Sequence, residues 1–386
     1  MSSLIFDPAS YTVTCGSDSI GLLAKEFALL QFLYDHRHQA FTREQLLDRV
    51  WLLEYPVERT VDDHIYRLRR KLRHWPHIAI NTVRGYGYSL TVRDRRAVGN
   101  PSVQDPEVQE AMRELFKKYH LLGQGRSLLA LADRQEVLGF EVDEFYTLYV
   151  HFIQGDIPWF LEENGIPFRE KLYWMLLMYR GMALRREEVL SFLQLCERVL
   201  ALRILPDRQH REMEILNILD VYADAGRPGE AINRFEKARQ TVESDGLSGF
   251  VIPVAIMEMY VQVVAGQSSE AERASGRIER LLQGSPYLRE IGRYHIVKGL
   301  HLLTQGQRQA GADLIDEGLE VLQASMHVPM LLGAVCQIVL FLQERLPDAP
   351  RLEQKYRAFY DALDKEFGLS RYRTDLKEGI QKAIFP

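Results

Sequence analysis

At 386 residues the chain exceeds what one ordinary hydrophobic core fills and suits two or three domains. Its 46% hydrophobic and 26% charged content is that of soluble globular proteins and excludes a disordered chain. The net charge of −5 conceals a division: residues 1–100 hold 14 Lys/Arg against 11 Asp/Glu, residues 59–96 hold 10 against 3, and the rest of the chain is acidic.

The N-terminus, MSSLIFDPAS, has neither a basic nor an apolar leader segment, so no secretory signal is expected. Short alternating runs at 4–6, 11–14 and 19–22, separated by Asp7-Pro8 and Gly16-Ser17, predict small antiparallel strands. Helical spacing begins at Lys25, with Phe27, Leu30, Leu33 and Tyr34 on one face. A second short helix follows Thr42, whose pairing with Gln45 is a capping-box pattern. A third is expected to start at Thr60 with Asp63 as its box partner, its apolar residues Val61, Ile65, Leu68, Leu72 and Trp75 stepping by 4, 3, 4 and 3. Strand patterns at 78–83 and 89–92 flank Arg84-Gly85-Tyr86-Gly87-Tyr88, which reads as a hairpin. Residues 1–94 thus form an α+β domain, and the polar, Pro- and Gly-bearing stretch 95–106 reads as a linker.

Residues 107–386 read as all-α. Gly226, Gly266 and Gly306 recur 40 residues apart, each followed five residues later by a small residue (Ala231, Ala271, Gly311). Such a period is that of helical-hairpin solenoids. The longest apolar runs, 251–266 and 331–342, carry Glu258 and Gln337 and fall short of a membrane span, so no membrane association is expected. Cys15, Cys196 and Cys336 form no CxxC and suit buried thiols in a reducing, cytoplasmic compartment.

On the third helix the face opposite the apolar stripe carries Arg59, Asp63, Tyr66, Arg67, Arg70, Lys71, Arg73 and His74, with Arg69 at the flank. Arginines on such a face neutralise phosphates, and one can bind guanine through two hydrogen bonds in the major groove. Arg84 precedes a tight turn whose tip suits the minor groove. A merely solvated cationic face is the alternative for the helix taken alone.

Residues 4–92 resemble the OmpR/PhoB-type winged-helix DNA-binding domain. The matching pieces are Ile20-Gly21-Leu22, Lys25-Glu26-Phe27 with Leu29-Leu30, Arg43-Glu44-Gln45-Leu46-Leu47 with Val50-Trp51, Arg59-Thr60-Val61-Asp62, His64-Ile65, Arg67-Leu68-Arg69, and Thr82 to Tyr88. The resemblance implies that Arg67 and Arg69 approach bases, that Arg59, His64 and Thr82 contact phosphates, that Arg84 enters the minor groove and that Tyr88 supports the wing. Arg70 joins the DNA-facing set by position alone. Two departures stand out: Tyr66 replaces a common basic residue, and Asp63 replaces an apolar one. Asp63 is expected to accept from a cytosine amine or to exclude thymine methyls. Residues 52–58, from Leu52 to Glu58, occupy the position that contacts RNA polymerase in the family, although a plain connector fits them equally.

No receiver domain is expected ahead of the winged helix, and the helical region is expected to take in the signal. Residues 215–238 resemble a tetratricopeptide-type repeat through Tyr222, Gly226, Ala231, Phe235 and Ala238. If they follow it, Asn217, Asp220 and Asp224, then Met257, Tyr260 and Val264, line an inner groove for a peptide, small ligand or protein partner; packing between repeats is the competing reading. The combination resembles both peptide-pheromone-sensing regulators and winged-helix activators with repeat domains. The expectation is a dimeric transcription regulator, an activator, binding double-stranded DNA. It is not an enzyme: GxxxxGK[ST], HExxH and GxSxG are absent, and no cofactor or metal is expected, the pairs His36/His38 and His74/His77 reading as surface histidines. The alternative is a scaffold or antiactivator using the winged helix for protein contacts.

Overall fold

The computed structural model describes residues 4–15, 18–37, 39–51, 59–73, 75, 78–83, 85–92, 100–162, 165–284 and 286–384. Arg84, residues 52–58, His38, His74 and His77 lie outside them. The chain divides into two compact units, Met1–Pro101 and Ser102–Pro386.

The first unit opens with strands β1 (Leu4–Asp7), β2 (Thr12–Cys15) and β3 (Asp18–Gly21), paired antiparallel in that order. Helix α1 (Ala24–Asp35) follows, then a three-residue strand β4 (Ala40–Thr42), α2 (Arg43–Val50), α3 (Arg59–Leu72) and the hairpin β5 (Ile78–Val83) and β6 (Gly87–Val92). The second sheet has the order β4-β6-β5. Thr42 caps α2 as its sequence indicates: its hydroxyl accepts from the Gln45 amide and Gln45 returns the bond to the Thr42 amide. The Thr60/Asp63 box does not form, because Thr60 already lies inside α3 and the Asp63 side chain is exposed.

Strand β4 is too short to show a period in the sequence, yet it explains Gly87. A Cβ at Gly87 would lie 2.0 Å from the Phe41 carbonyl oxygen, so only glycine lets β6 run this close to β4. Gly85, at φ +66°, makes the turn at the hairpin tip. The core gathers Leu29, Leu30 and Leu33 of α1, Leu46 of α2, Val61, Ile65 and Leu68 of α3 and Leu90 of β6, and Trp51 and Trp75 are buried with them. The 4-3-4-3 stripe on α3 is therefore its buried face.

Every described element of the second unit is helical. The 40-residue glycine spacing corresponds to three hairpins: Leu219–Asp224 with Pro228–Ser244, Val251–Val264 with Ser268–Leu282, and Leu288–Thr304 with Arg308–Ala324. Gly226, Gly266 and Gly306 sit in the connecting turns at φ +78°, +74° and +80°, a region costly for any residue with a Cβ. The first helices of successive hairpins pack on one another, those of the first and third also pack on Val328–Arg345, and Pro350–Phe367 pairs with the latter. By length and composition Val328–Arg345 could cross a membrane; here it is mostly buried among the other helices.

The third hairpin is joined backbone to backbone. A Cβ on Gly299 would stand 2.7 Å from the Gly311 carbonyl oxygen and one on Gly311 2.7 Å from that of Gly299; Gly292 and Gly318 repeat the arrangement two turns away. Gly276, by contrast, has only Arg280 Nη1 nearby, at 3.9 Å. Alanine gains up to about 1 kcal/mol over glycine in a helix interior, whereas overpacking costs about 1–3 kcal/mol. Urea denaturation should therefore show Gly299→Ala and Gly311→Ala destabilised and Gly276→Ala neutral or slightly stabilised. Equal gains in all three would mean that the two helices do not touch through their backbones.

Candidate nucleic-acid interface

The orientation of α3 rests on one carboxylate. Glu26, in the first turn of α1, is buried at 0% exposure; its Oε2 accepts from the Leu23 amide (3.0 Å) and from Lys71 Nζ (2.7 Å), and its Oε1 from Arg67 Nε (3.1 Å). Lys71 also donates to the Gly21 carbonyl. Burial on its own raises this carboxyl's pKa, but the Leu23 amide, Lys71 and Arg67 together outweigh it and hold the group below the ordinary glutamate range.

The opposite flank of α3 is tied to the hairpin. Arg69 Nε donates to the Ile80 carbonyl (2.9 Å) and its Nη2 to Thr82 Oγ1 (2.7 Å), while its guanidinium lies 5.7 Å from the Tyr88 ring centre. Tyr88 is itself buried and donates to Asp62 Oδ1 (2.7 Å), which also accepts from Arg43 Nε (2.8 Å). Burial, then the Asp62 carboxylate, push the Tyr88 phenol up to about 12, so it stays a donor at any physiological pH. His64 uses Nδ1 to donate to the Thr60 carbonyl (2.7 Å) and sets its ring edge-to-face against Trp51, leaving Nε2 for another partner.

What remains on the outer face is exposed. Arg59, Asp63, Tyr66, Arg70 and Arg73 make no side-chain hydrogen bond or ion pair among the described residues, and Tyr66 is 67% exposed.

Residues 17–90 match the family described as "Transcriptional regulatory protein, C terminal". The chain is 43% identical over 95 residues to the phosphate regulon transcriptional regulatory protein PhoB of Klebsiella pneumoniae, covering 24% of this chain and 42% of that protein. Transcriptional regulatory protein VxrB of Vibrio cholerae is 43% identical over 90 residues, 23% of this chain and 36% of its own. The DNA-binding domain of Bacillus subtilis CssR shares 32% identity over 23% of this chain and all of its own, with a TM-score of 0.21. The N-terminal unit is a winged-helix DNA-binding domain of the OmpR/PhoB type. The chain thus spans about two-fifths of the length of PhoB, and the family match, residues 17–90, lies within the first unit.

Within the winged helix the expected site residues fall into two sets. Arg67, Arg69, Thr82 and Tyr88 are engaged inside the domain. Arg59, Asp63, Tyr66 and Arg70 project from it, with half-buried His64 between the two sets. Arg84 and the polymerase-contacting loop at 52–58 lie outside the described residues. The sequence offered no sign of the Glu26 clasp or of the Arg43–Asp62–Tyr88 triangle, because each joins residues 19 to 45 positions apart.

The groove expected in the helical unit is a correction. Met257 and Tyr260 are 1% exposed and Val264 5%. Asn217 donates to the Tyr173 hydroxyl (2.9 Å), and Asp224 accepts from Arg180 and from Tyr260. Asp220 keeps a partial opening, but burial pushes its carboxyl up against the pull of Arg180 and Arg293. Helices Phe168–Arg180 and Val328–Arg345 cover this face, and a π-turn at Met213–Asn217 precedes it. An inner face that a free-standing repeat would leave open is here part of the core.

Because the folded Glu26 carboxyl lies below its unfolded value, its contribution is complete above about pH 4.5 and is lost as the pH falls through the glutamate range. Protection factors of α1 and α3 amides in the full chain, hydrogen-exchange rates corrected for the intrinsic pH dependence, should fall from pH 6 to pH 4. Glu26→Gln should already exchange fast at pH 6, with a loss of about 1.5–3 kcal/mol, and show a flatter pH dependence. Parallel profiles for parent and variant would remove Glu26 from this role.

Proposed function

We propose that the chain is a sequence-specific DNA-binding transcription regulator whose helical unit receives the regulatory signal. The observation that carries this is the outer face of α3 and its C-terminal turn: four side chains without a hydrogen-bond or ion-pair partner among the described residues, three of them arginines, beside an exposed aromatic ring, on a helix clamped from both flanks inside a DNA-binding domain. A rigid helix presenting cations neutralises phosphates with little ordering cost. His64 Nε2 and Arg59 are assigned to phosphates. Thr82 and Tyr88 act by holding the hairpin against α3, and Arg84, at the hairpin tip in sequence, is assigned to the minor groove.

The helical unit is assigned the input because its size, and the absence of enzyme motifs in its sequence, leave regulation as its use. With the inner face closed, an effector would act on other surfaces of that unit or by opening it. The reading requires no cofactor, and it places the protein in the compartment that holds the chromosome.

Mobility-shift titrations of the full chain with genomic fragments at 50 and 200 mM salt test this. Affinity should fall by orders of magnitude between the two, and Arg59→Ala should weaken binding uniformly across sequences and reduce the slope of log K against log salt by about one. Absence of a shift with every fragment at low salt would contradict the reading and favour a scaffold that uses the winged helix for protein contacts.

A further inference from the structure

Arg59, Asp63, Tyr66, Arg70 and Arg73 step by 4, 3, 4 and 3 along α3 and its C-terminal turn. This is the spacing of the buried stripe Val61, Ile65, Leu68 and Leu72, displaced to the other side of the helix. All five side chains are exposed and free of partners among the described residues. The two arginines that the family resemblance assigns to bases are held elsewhere, Arg67 against α1 through Glu26 and Arg69 against the hairpin through Ile80 and Thr82.

At 1.5 Å per residue, Arg59 and Arg70 are separated by about 16 Å along the helix, against a major groove about 12 Å wide. A helix seated in the groove therefore brings the terminal arginines to phosphates and the residues between them over base edges. Those residues are Asp63 and Tyr66. A carboxylate beside a polyanion is repelled unless it accepts a hydrogen bond, and the base that offers only a donor in the major groove is cytosine, through its N4 amine. An exposed phenol ring one turn further on presents an apolar face of the kind that packs on a thymine methyl.

We infer that Asp63 and Tyr66, rather than Arg67 and Arg69, determine the operator sequence: Asp63 reads a cytosine and Tyr66 a neighbouring thymine, with Arg59, Arg70 and Arg73 as phosphate clamps. This rests on the DNA-binding reading above and adds to it the identity of the reading residues. Arg67 and Arg69 fix the angle at which the stripe is presented, which makes them positioning residues.

The experiment is selection of binding sites from a randomised duplex by the full chain and by Asp63→Val, Tyr66→Ala and Arg67→Ala, each checked for folding by thermal denaturation. The parent should yield a motif containing a cytosine required by about 5- to 150-fold over other bases. Asp63→Val should lose that cytosine requirement alone, and Tyr66→Ala should relax one adjacent thymine. Arg67→Ala should retain the parental motif while melting at lower temperature. An unchanged motif in Asp63→Val and Tyr66→Ala, with salt-sensitive binding intact, would overturn the assignment and leave the regulator reading standing. So would a changed motif in Arg67→Ala alone, or an adenine at the Asp63-dependent position. Failure of the parent to bind any duplex would overturn both.

Discussion

Everything that the winged helix presents to solvent depends on where α3 points, and that is set by a buried carboxylate shared between two cations of the same helix. Glu26 is fully buried, so its charge is stable only while the Leu23 amide, Arg67 and Lys71 surround it. The requirement works in both directions. It pins Arg67 and Lys71, which are one helical turn apart, and so fixes the rotation of α3 about its own axis. The apolar stripe fixes which face of α3 is buried, and the clasp adds a polar anchor on one flank of that face. On the other flank Arg69, Thr82 and the Arg43–Asp62–Tyr88 triangle fix the hairpin relative to the same helix.

This division of labour accounts for the basic charge of the segment without assigning every arginine to DNA. Cations that neutralise a buried acid or stack on a tyrosine are structural, and their long side chains lie along the domain surface. Those left over form a single row. An acid and an aromatic in the middle of that row are difficult to explain as stabilising features, since neither makes a side-chain hydrogen bond, ion pair or ring contact among the described residues. They are the residues for which contact with a base supplies a reason.

Much of this was legible in the sequence, and the unread part has physical causes. The three N-terminal strands, the capping of α2 by Thr42, the buried 4-3-4-3 stripe and the glycine-marked hairpins of the helical unit all follow from local periodicity or backbone conformation, which a linear pattern records. Strand β4 was missed because three residues carry no period. The direction of Arg67 was missed because it depends on Glu26, 41 positions away. The inner groove was misplaced for a related reason. The spacing of Asn217, Asp220 and Asp224 describes an isolated repeat, whereas Arg180 and Tyr173 arrive from a helix before the repeats and Val328–Arg345 from one after them. Spacing identifies which residues share a face, not which other helix covers it.

The most direct measurement is a structure of the full chain bound to a selected operator duplex. The account predicts Arg67 Nε still on Glu26, the Asp63 carboxylate within hydrogen-bonding distance of a cytosine N4, and the Tyr66 ring against a thymine methyl. A complex in which Arg67 has left Glu26 to bind a base, with Asp63 and Tyr66 facing solvent, would contradict it.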